Sequence, residues 1–311
     1  MTPLVSVIIP NYNHATFLRQ RIDSILNQTW TDFELIILDD YSTDNSRDII
    51  EFYRNHPKVK HIIYNENNSG SPFKQWQKGL ELAVAPYIWI AESDDYSDKS
   101  FLNCLMQPFL TEPDLVLSYC QSMVVDENGT LNGLSIWADE IDRRKWKHDY
   151  IEKTAVELDN YLSFRNTIVN ASAVVFKKPL NGDILQESTE MKMLGDWLFW
   201  RKLLSQEGKI AFFSSPLNFF RLHPQTTRVA TTKEKEITRM KEYHRLIVPQ
   251  FLSILDNRYD WMVREWYANR RVLKGTLFYF IPDLPFTLKI RFIIIIVSKI
   301  RKKILGVQFS S

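Results

Sequence analysis

Apolar and polar positions alternate between two rhythms along the first hundred residues. Val5–Ile9 is an unbroken apolar run stopped by Pro10, as expected of a buried parallel strand. Leu18, Ile22, Ile25 and Leu26 then recur at helical spacing, which predicts a helix over Ala15–Gln28 with one apolar face. Glu34–Leu38 is a second buried strand with Asp39 and Asp40 at its carboxyl end. Ser42, Thr43 and Asp44 are N-cap candidates for a helix carrying Ile49, Ile50 and Tyr53. His61–Tyr64 is a third strand, and a loop with Asn67, Asn68 and Gly70 follows it. Phe73, Trp76, Leu80 and Ala83 mark a helix, and Tyr87–Ala91 a fourth strand. Strand and helix in regular succession predict an α/β fold, with a mostly parallel sheet joined by right-handed crossovers.

The second half is less regular. The pattern predicts a helix over Phe101–Leu110, a strand over Leu115–Val125 and a turn at Asp126–Gly129. Trp137–Lys153, rich in charge and tryptophan, reads as a mobile loop over a site. Ala171–Phe176 is expected to be a strand and Asp196–Leu204 a helix, with short strands at Ile210–Phe213 and Leu217–Arg221 and helices from Lys233 onward.

Composition narrows the classes. With 311 residues, 45% hydrophobic and 24% charged, the chain has enough apolar mass for one large domain with an appendage, or for two domains. A net charge of +2 makes no case for nucleic acid as a partner. Cys104 and Cys120 show neither zinc spacing nor a disulfide framework, which suits a reducing cytosol. Val5–Ile9 follows the start without a basic segment, so no signal peptide is expected, and no apolar run has the length of a membrane span.

The candidate chemistry gathers at strand ends. Tyr87–Tyr96 reads YIWIAESDDY, an apolar run that turns abruptly into Glu92, Ser93, Asp94 and Asp95. Clustered carboxylates at the end of a buried strand repel one another, and a divalent ion removes the conflict; hard oxygen ligands favour Mg²⁺ or Mn²⁺. The competing reading is an acidic turn in which Ser93 or Asp95 caps the next helix. Adjacent parallel strands would bring Asp39 and Asp40, and the Tyr12–Asn13 loop, to the same crevice. Tyr12 can stack on a nucleobase and Asp40 can accept from a ring N–H, although Asp39 and Asp40 also make sense as strand-end caps. Asp196 suits a helix cap better than a general base on spacing alone. His223 could ligate the ion or contact phosphate, and Arg221 could pair with phosphate. No G-x-G-x-x-G follows the first strand, which disfavours a dinucleotide-binding domain.

Taken together these stretches resemble the inverting glycosyltransferases of family 2, which have the GT-A fold. The resemblance rests on VSVIIPNYN (Val5–Asn13), ILNQTW (Ile25–Trp30), ELIILDDYSTD (Glu34–Asp44), NNSGSPFKQWQKGLELA (Asn67–Ala83), IAESDD (Ile90–Asp95), NASAVVFKK (Asn170–Lys178), GDWLFWRK (Gly195–Lys202) and FRLHP (Phe220–Pro224). It covers about residues 4–225 and implies a catalytic domain over 1–225, with a nucleotide-sugar-binding half over about 1–98 and an acceptor half over about 99–225; the helical C-terminal region over 226–311, with its basic amphipathic tail, is expected from the sequence pattern alone. The resemblance implies that Pro10, Tyr12, Asn13, Asp40, Lys74, Glu92 and Asp94 serve the donor. Asp94, Asp95 and His223 become the metal candidates and Asp196 the catalytic base. Two departures stand out: Glu92 replaces the first aspartate of the family's D-x-D, and Tyr41 stands where many relatives have glycine.

The implied activity is transfer of a sugar from a nucleotide-diphosphate sugar, UDP-sugar favoured, to a hydroxyl of a glycan or lipid-linked acceptor. A divalent cation is the expected cofactor. A sugar nucleotidyltransferase would want a glycine- or arginine-rich loop after the first strand, which Pro10–His14 is not; a non-catalytic nucleotide-sugar-binding protein would dispense with Asp196; and a membrane-scaffold role would rest on the C-terminal tail alone. Phe286–Ile304 reads FTLKIRFIIIIVSKIRKKI, a basic segment with apolar mass. It is expected either to lie on a membrane surface, placing a cytoplasmic protein at the inner face of the membrane, or to pack on protein.

Overall fold

A computed structural model describes residues 2–163, 165–180, 182–224 and 232–247, with positions 290, 293, 294 and 297. The chain forms two compact units, Met1–Thr226 and Thr227–Ser311. The first contains strands β1 (Val5–Asn11), β2 (Phe33–Asp39), β3 (Val59–Tyr64), β4 (Tyr87–Ile90), β5 (Tyr96–Ser97), β6 (Leu115–Val125), β7 (Leu131–Leu134), β8 (Tyr150–Lys153), β9 (Val174–Lys177) and β10 (Lys209–Arg221). Its helices are α1 (Ala15–Leu26), α2 (Ser46–Phe52), α3 (Pro72–Leu82), α4 (Phe101–Thr111), α5 (Thr154–Glu157) and α6 (Gly195–Leu204). In the second unit α7 (Lys233–Ile247) is described.

The strands form one sheet in the order β3-β2-β1-β4-β9-β6-β10-β5, with β7 added to β6 and β8 to β10. β3, β2, β1 and β4 run parallel, as helical crossovers require. β9 then enters antiparallel between β4 and β6, and β10 returns parallel to β6. Every residue of β1 and β2 is buried. Val5, Val7 and Ile9 on one face of β1 join Leu35 and Ile37 in a cluster with α1, α2 and α4. Ile8 points to the other face, where a Cβ on Gly79 would lie 2.4 Å from its Cγ2, so α3 rests directly on β1. The sheet is thus covered on both sides. Burial of each Ile or Leu contributes about 1.5–3 kcal/mol.

Pro10 does not end β1, which continues to Asn11 paired with Asp39. Ile8 accepts from Ala91 N on the β4 side and Asn11 accepts from Asp40 N on the β2 side. By alternation the missing N–H of Pro10 faces the β4 side, beyond the last β1–β4 pair at Ile8 and Ile90, where no ladder bond is lost.

Several expectations need correction. The segment Trp137–Lys153 is anchored rather than mobile: it contains 3₁₀ turns at Trp137–Glu140 and Lys145–Lys147 and ends as β8, paired with β10. Trp146 is 4% exposed and donates to Tyr119 Oη at 2.8 Å. Lys145 bridges Glu152 and Glu157 over the rings of Tyr150 and Tyr161. The two short strands after residue 209 are one strand, β10, bent by bulges around Pro216. Ala171–Ala173 is a 3₁₀ turn begun by Asn170, whose side chain accepts from Ser172 N, so the strand starts at Val174. Asn45, not Ser42–Asp44, occupies the N-cap of α2.

Among the described residues no helix is long and apolar enough to cross a membrane. Most of the basic tail lies outside the described residues. Within it Ile290, Ile293, Ile294 and Val297 are helical and exposed.

Candidate active site

The loops after β1, β2 and β4 meet at the carboxyl edge of the parallel strands, and two left-handed residues shape them. Asn13 (φ 56°) accepts from Thr43 N at 2.7 Å through Oδ1, and its own N–H donates to Ser42 Oγ at 2.9 Å. Tyr41 (φ 65°) is the second, a backbone state that ordinary side chains adopt at a cost and glycine adopts freely. Here an exposed tyrosine holds that backbone state. Asp44 ties the loops to the helices: Oδ2 accepts from Ala15 N at 2.9 Å at the start of α1, and Oδ1 accepts from Ser46 N at 3.0 Å in α2.

Asp39 and Asp40 are both buried and enclosed by donors. Asp39 accepts from Asn11 Nδ2, Ser42 Oγ and Ser42 N at 2.6–3.0 Å. Asp40 Oδ1 accepts from Asn65 Nδ2 at 2.7 Å and from Ser69 N and Gln75 Nε2 at 2.9 Å, while Oδ2 accepts from Ser69 Oγ at 2.7 Å. A carboxylate has about four lone-pair positions, so the remaining capacity of Asp40 lies on Oδ2. Tyr12 is 46% exposed and Pro10 is buried in β1. Lys74 is exposed on α3 and donates to Ser69 O at 3.1 Å.

After β4 the four-residue acidic run splits by role. Glu92 accepts from Trp76 Nε1 at 2.9 Å, and burial, then the charge of Asp94, push its carboxyl up to about 8. Asp94 Oδ2 lies 3.1 Å from His223 Nε2. Burial pushes Asp94 up, but the His223 hydrogen bond and the His14 and His223 imidazoles outweigh it and hold it low. Asp95 is turned inward: Oδ1 accepts from Arg221 N and Oδ2 from Asn170 Nδ2, both at 2.9 Å. Burial, then Asp94, raise its carboxyl to about 6. Asp95 is thus occupied in joining β4 to β10 and the Asn170 turn.

His14, by contrast, stands beside Asp94 and His223. Ligand-bearing atoms of His14, Asp94 and His223 all lie within 4.8 Å of one another. His14 Nδ1 is 2.8 Å from Ser93 Oγ, and its ring meets that of His223 edge-on at 5.4 Å. Burial lowers the His14 imidazole despite the nearby Asp94. Arg221 does not face this site as a phosphate ligand. It is buried and donates to Asp94 O, Asp126 O, Glu127 O and Gln20 Oε1, with its guanidinium over Phe17.

Below the acids lies a group the sequence reading did not assign. Arg21 of α1 is 0% exposed, and none of its guanidinium nitrogens has a hydrogen-bond partner among the described residues. It lies 5.0 Å from the ring of Trp89. Burial lowers its pKa to about 10, against the pull of Asp95, Asp94 and Glu92.

Asp196 stands in the first turn of α6, partly exposed, and accepts from Asn166 Nδ2 at 2.8 Å. The preceding Gly195 is sterically required, because a Cβ there would lie 2.5 Å from the Phe73 ring of α3. Phe73, Trp76, Phe199 and Trp200 form a chain of ring contacts between α3 and α6. Trp76 therefore touches Glu92 at one end and the helix of Asp196 at the other.

The Glycosyl transferase family 2 model matches residues 6–170, more than half of the chain. The chain belongs to that family. Over 197 residues it is 30% identical to TuaG of Bacillus subtilis (strain 168), which bears the name of a teichuronic acid biosynthesis glycosyltransferase; the match spans 63% of this chain and 71% of TuaG. It is 35% identical over 130 residues to the chondroitin synthase of Pasteurella multocida (strain Pm70), covering 42% of this chain and 13% of that much longer protein. The family 2 fold is seen again in TarS 1–349 of S. aureus, solved in complex with UDP-GlcNAc (TM-score 0.60, 20% identity, 94% of this chain and 79% of that one). The mannosyltransferase PcManGT of Pyrobaculum calidifontis, solved with GDP-Man and Mn²⁺, aligns with a TM-score of 0.55 at 13% identity, over 97% of this chain and 80% of that one. The architecture is the GT-A fold.

Proposed function

We propose that this family 2 member is a metal-dependent, inverting glycosyltransferase that moves a sugar from a UDP-sugar to a hydroxyl of a glycan or lipid-linked acceptor in surface polysaccharide synthesis. The observation that carries the reading is the meeting of His14, Asp94 and His223 at the ends of β1, β4 and β10. Neighbouring ligands on an octahedral ion, each about 2.1 Å from it, are about 3 Å apart, and Asp94 and His223 are already 3.1 Å apart. The donor set fits Mn²⁺, and such an ion would supply charge neutralisation for the departing diphosphate. The UDP and UDP-GlcNAc complexes of TarS and the Mn²⁺ complex of PcManGT support the same reading.

The protein's own groups divide the remaining work. Tyr12 offers an exposed ring for the base and Asp40 Oδ2 an acceptor for a ring N–H. Glu92, fixed by Trp76, faces the ribose or ion. Asp196, oriented by Asn166, takes the proton of the acceptor hydroxyl on the face of the sugar opposite the leaving group, which inverts the anomeric centre. Asp196→Asn is expected to lower transfer by about 10²–10⁴-fold while UDP binding, followed by calorimetry with Mn²⁺, survives. Loss of both would overturn the assignment of Asp196.

The tail supports a peripheral membrane contact as a second element of this reading. Ile290, Ile293, Ile294 and Val297 share one exposed helical face, and in the sequence Lys289, Arg291 and Lys299 lie among and around them. Co-sedimentation with anionic liposomes at low salt tests it, and no binding there sinks it.

A further inference from the structure

We propose that His14 is a third protein ligand of the metal, and that the resulting pair of imidazoles and one carboxylate holds a transition-metal ion before any nucleotide arrives. The inference rests on the metal-dependent donor site argued above and deepens it. A site built from aspartates alone would be an oxygen site, suited to Mg²⁺ and completed by the diphosphate. Two imidazoles change the chemistry: nitrogen ligands favour Mn²⁺, Fe²⁺, Co²⁺ or Zn²⁺ over Mg²⁺, and two histidines with one carboxylate form a facial set that leaves positions open for further ligands.

The loop is built to present this imidazole. On one side Asn13 is held in the left-handed conformation by Ser42 and Thr43. On the other, the N–H of Ala15 is fixed by Asp44. His14 itself makes no side-chain cap on α1, although it stands at the N-cap position. Its Nδ1 is instead 2.8 Å from Ser93 Oγ, which leaves Nε2 as the ligand atom. A metal-binding histidine characteristically donates its other N–H to an outer partner, which sets the tautomer and the ring plane. Ser93 supplies that partner from between Glu92 and Asp94, so the residue that orients the imidazole adjoins the carboxylate ligand. Phe17 packs against both imidazoles, with centroids 6.2 Å from His14 and 5.0 Å from His223.

The test uses the full chain, stripped of metal and free of nucleotide. Mn²⁺ is titrated and the free ion followed by electron paramagnetic resonance; Co²⁺ is titrated in parallel and followed by its visible absorption. Wild type is expected to bind one Mn²⁺ per chain without UDP, and more tightly than Mg²⁺ added in competition. His14→Ala should weaken Mn²⁺ by at least ~10-fold and change the Co²⁺ spectrum, while affecting Mg²⁺ less. Ser93→Ala should produce a smaller loss. His14→Gln, which preserves bulk and polarity, is measured alongside, and the circular dichroism of each variant shows whether it folds. Mn²⁺ affinity unchanged in a folded His14→Ala or His14→Gln protein overturns the third ligand. Wild type that takes Mn²⁺ only together with UDP overturns the pre-loaded ion but leaves the proposed transfer reaction standing. Failure to bind Mn²⁺ with or without UDP would strike the transfer reading itself.

Discussion

The ends of β2 and β4 carry acidic residues at equivalent places in the sheet, but they are solved in opposite ways. After β2, Asp39 and Asp40 are surrounded by amide, hydroxyl and backbone donors from Asn11, Ser42, Asn65, Ser69 and Gln75. Nothing cationic is needed to hold that loop. After β4, Glu92, Asp94 and Asp95 press on one another, with buried Arg21 beneath them and two imidazoles beside them. The first end is complete as folded, a rigid wall for a ligand. The second is in electrostatic conflict that a divalent ion would relieve. The difference separates carboxylates satisfied by neutral donors from carboxylates in mutual conflict, even though both occur as acidic pairs in the sequence.

Removing the internal cation should break the comparison most severely. Arg21→Met retains bulk and the contact with Trp89 but leaves Glu92, Asp94 and Asp95 without their permanent positive charge. Loss of one side of such an arrangement costs about 3–5 kcal/mol. The loss is expected in full in EDTA and should shrink markedly in saturating Mn²⁺, because the ion supplies charge that the arginine no longer does. Urea unfolding under the two conditions measures it. An equal loss in both would mean that Arg21 acts through packing alone.

The matching change after β2 should be smaller and indifferent to metal. Asp40→Asn keeps the shape but replaces a charged acceptor by a neutral amide where four donors converge, and turns an NH₂ group toward the Ser69 hydroxyl. A hydrogen bond to a charged group contributes about 1.5–3 kcal/mol against about 0.5–1.5 for a neutral one, so the change should cost about 1–3 kcal/mol. Stability should fall by that amount with or without Mn²⁺. A metal-dependent loss would show that the two strand ends are electrostatically coupled rather than independent.

Much of this arrangement is legible in local pattern and the rest depends on distant partners. The apolar runs of β1, β2 and β4 and the stripe of α1 identify themselves, because continuous burial and helical spacing are local signals. Asp94 and His223 stand out in short motifs. His14 lies in plain view after β1, but its meaning comes from residues about 80 and 209 positions away. Arg21 did leave a local mark: Leu18, Arg21, Ile22 and Ile25 form one stripe at helical spacing, so a charge occupies a core position. The anchoring of Trp137–Lys153 left none, since Tyr119, Glu157 and β10 come from elsewhere in the chain. Asp95 was indistinguishable from Asp94 by type and position; only Arg221 and Asn170 decide which of the two turns inward.

The smallest effect sharpens the contrast through pH. In metal-free protein Glu92 titrates near 8 and Asp95 near 6, both above their ordinary carboxylate values. The folded state therefore keeps protons that the unfolded chain has already released. Their stabilising contribution is complete below the ordinary carboxylate range and is lost as pH rises through about 6 and then about 8. The unfolding temperature in EDTA should accordingly decline across this window, and Glu92→Gln should flatten the upper part of the decline because the neutral amide has no proton to lose. Asp40→Asn should retain the wild-type slope from a lower starting point. With Mn²⁺ bound, the acids no longer need those protons, and the slope should diminish. An unfolding temperature that rises through the same window in EDTA would mean that Arg21 and the imidazoles already balance the cluster, and that the end of β4 is as complete without an ion as the end of β2.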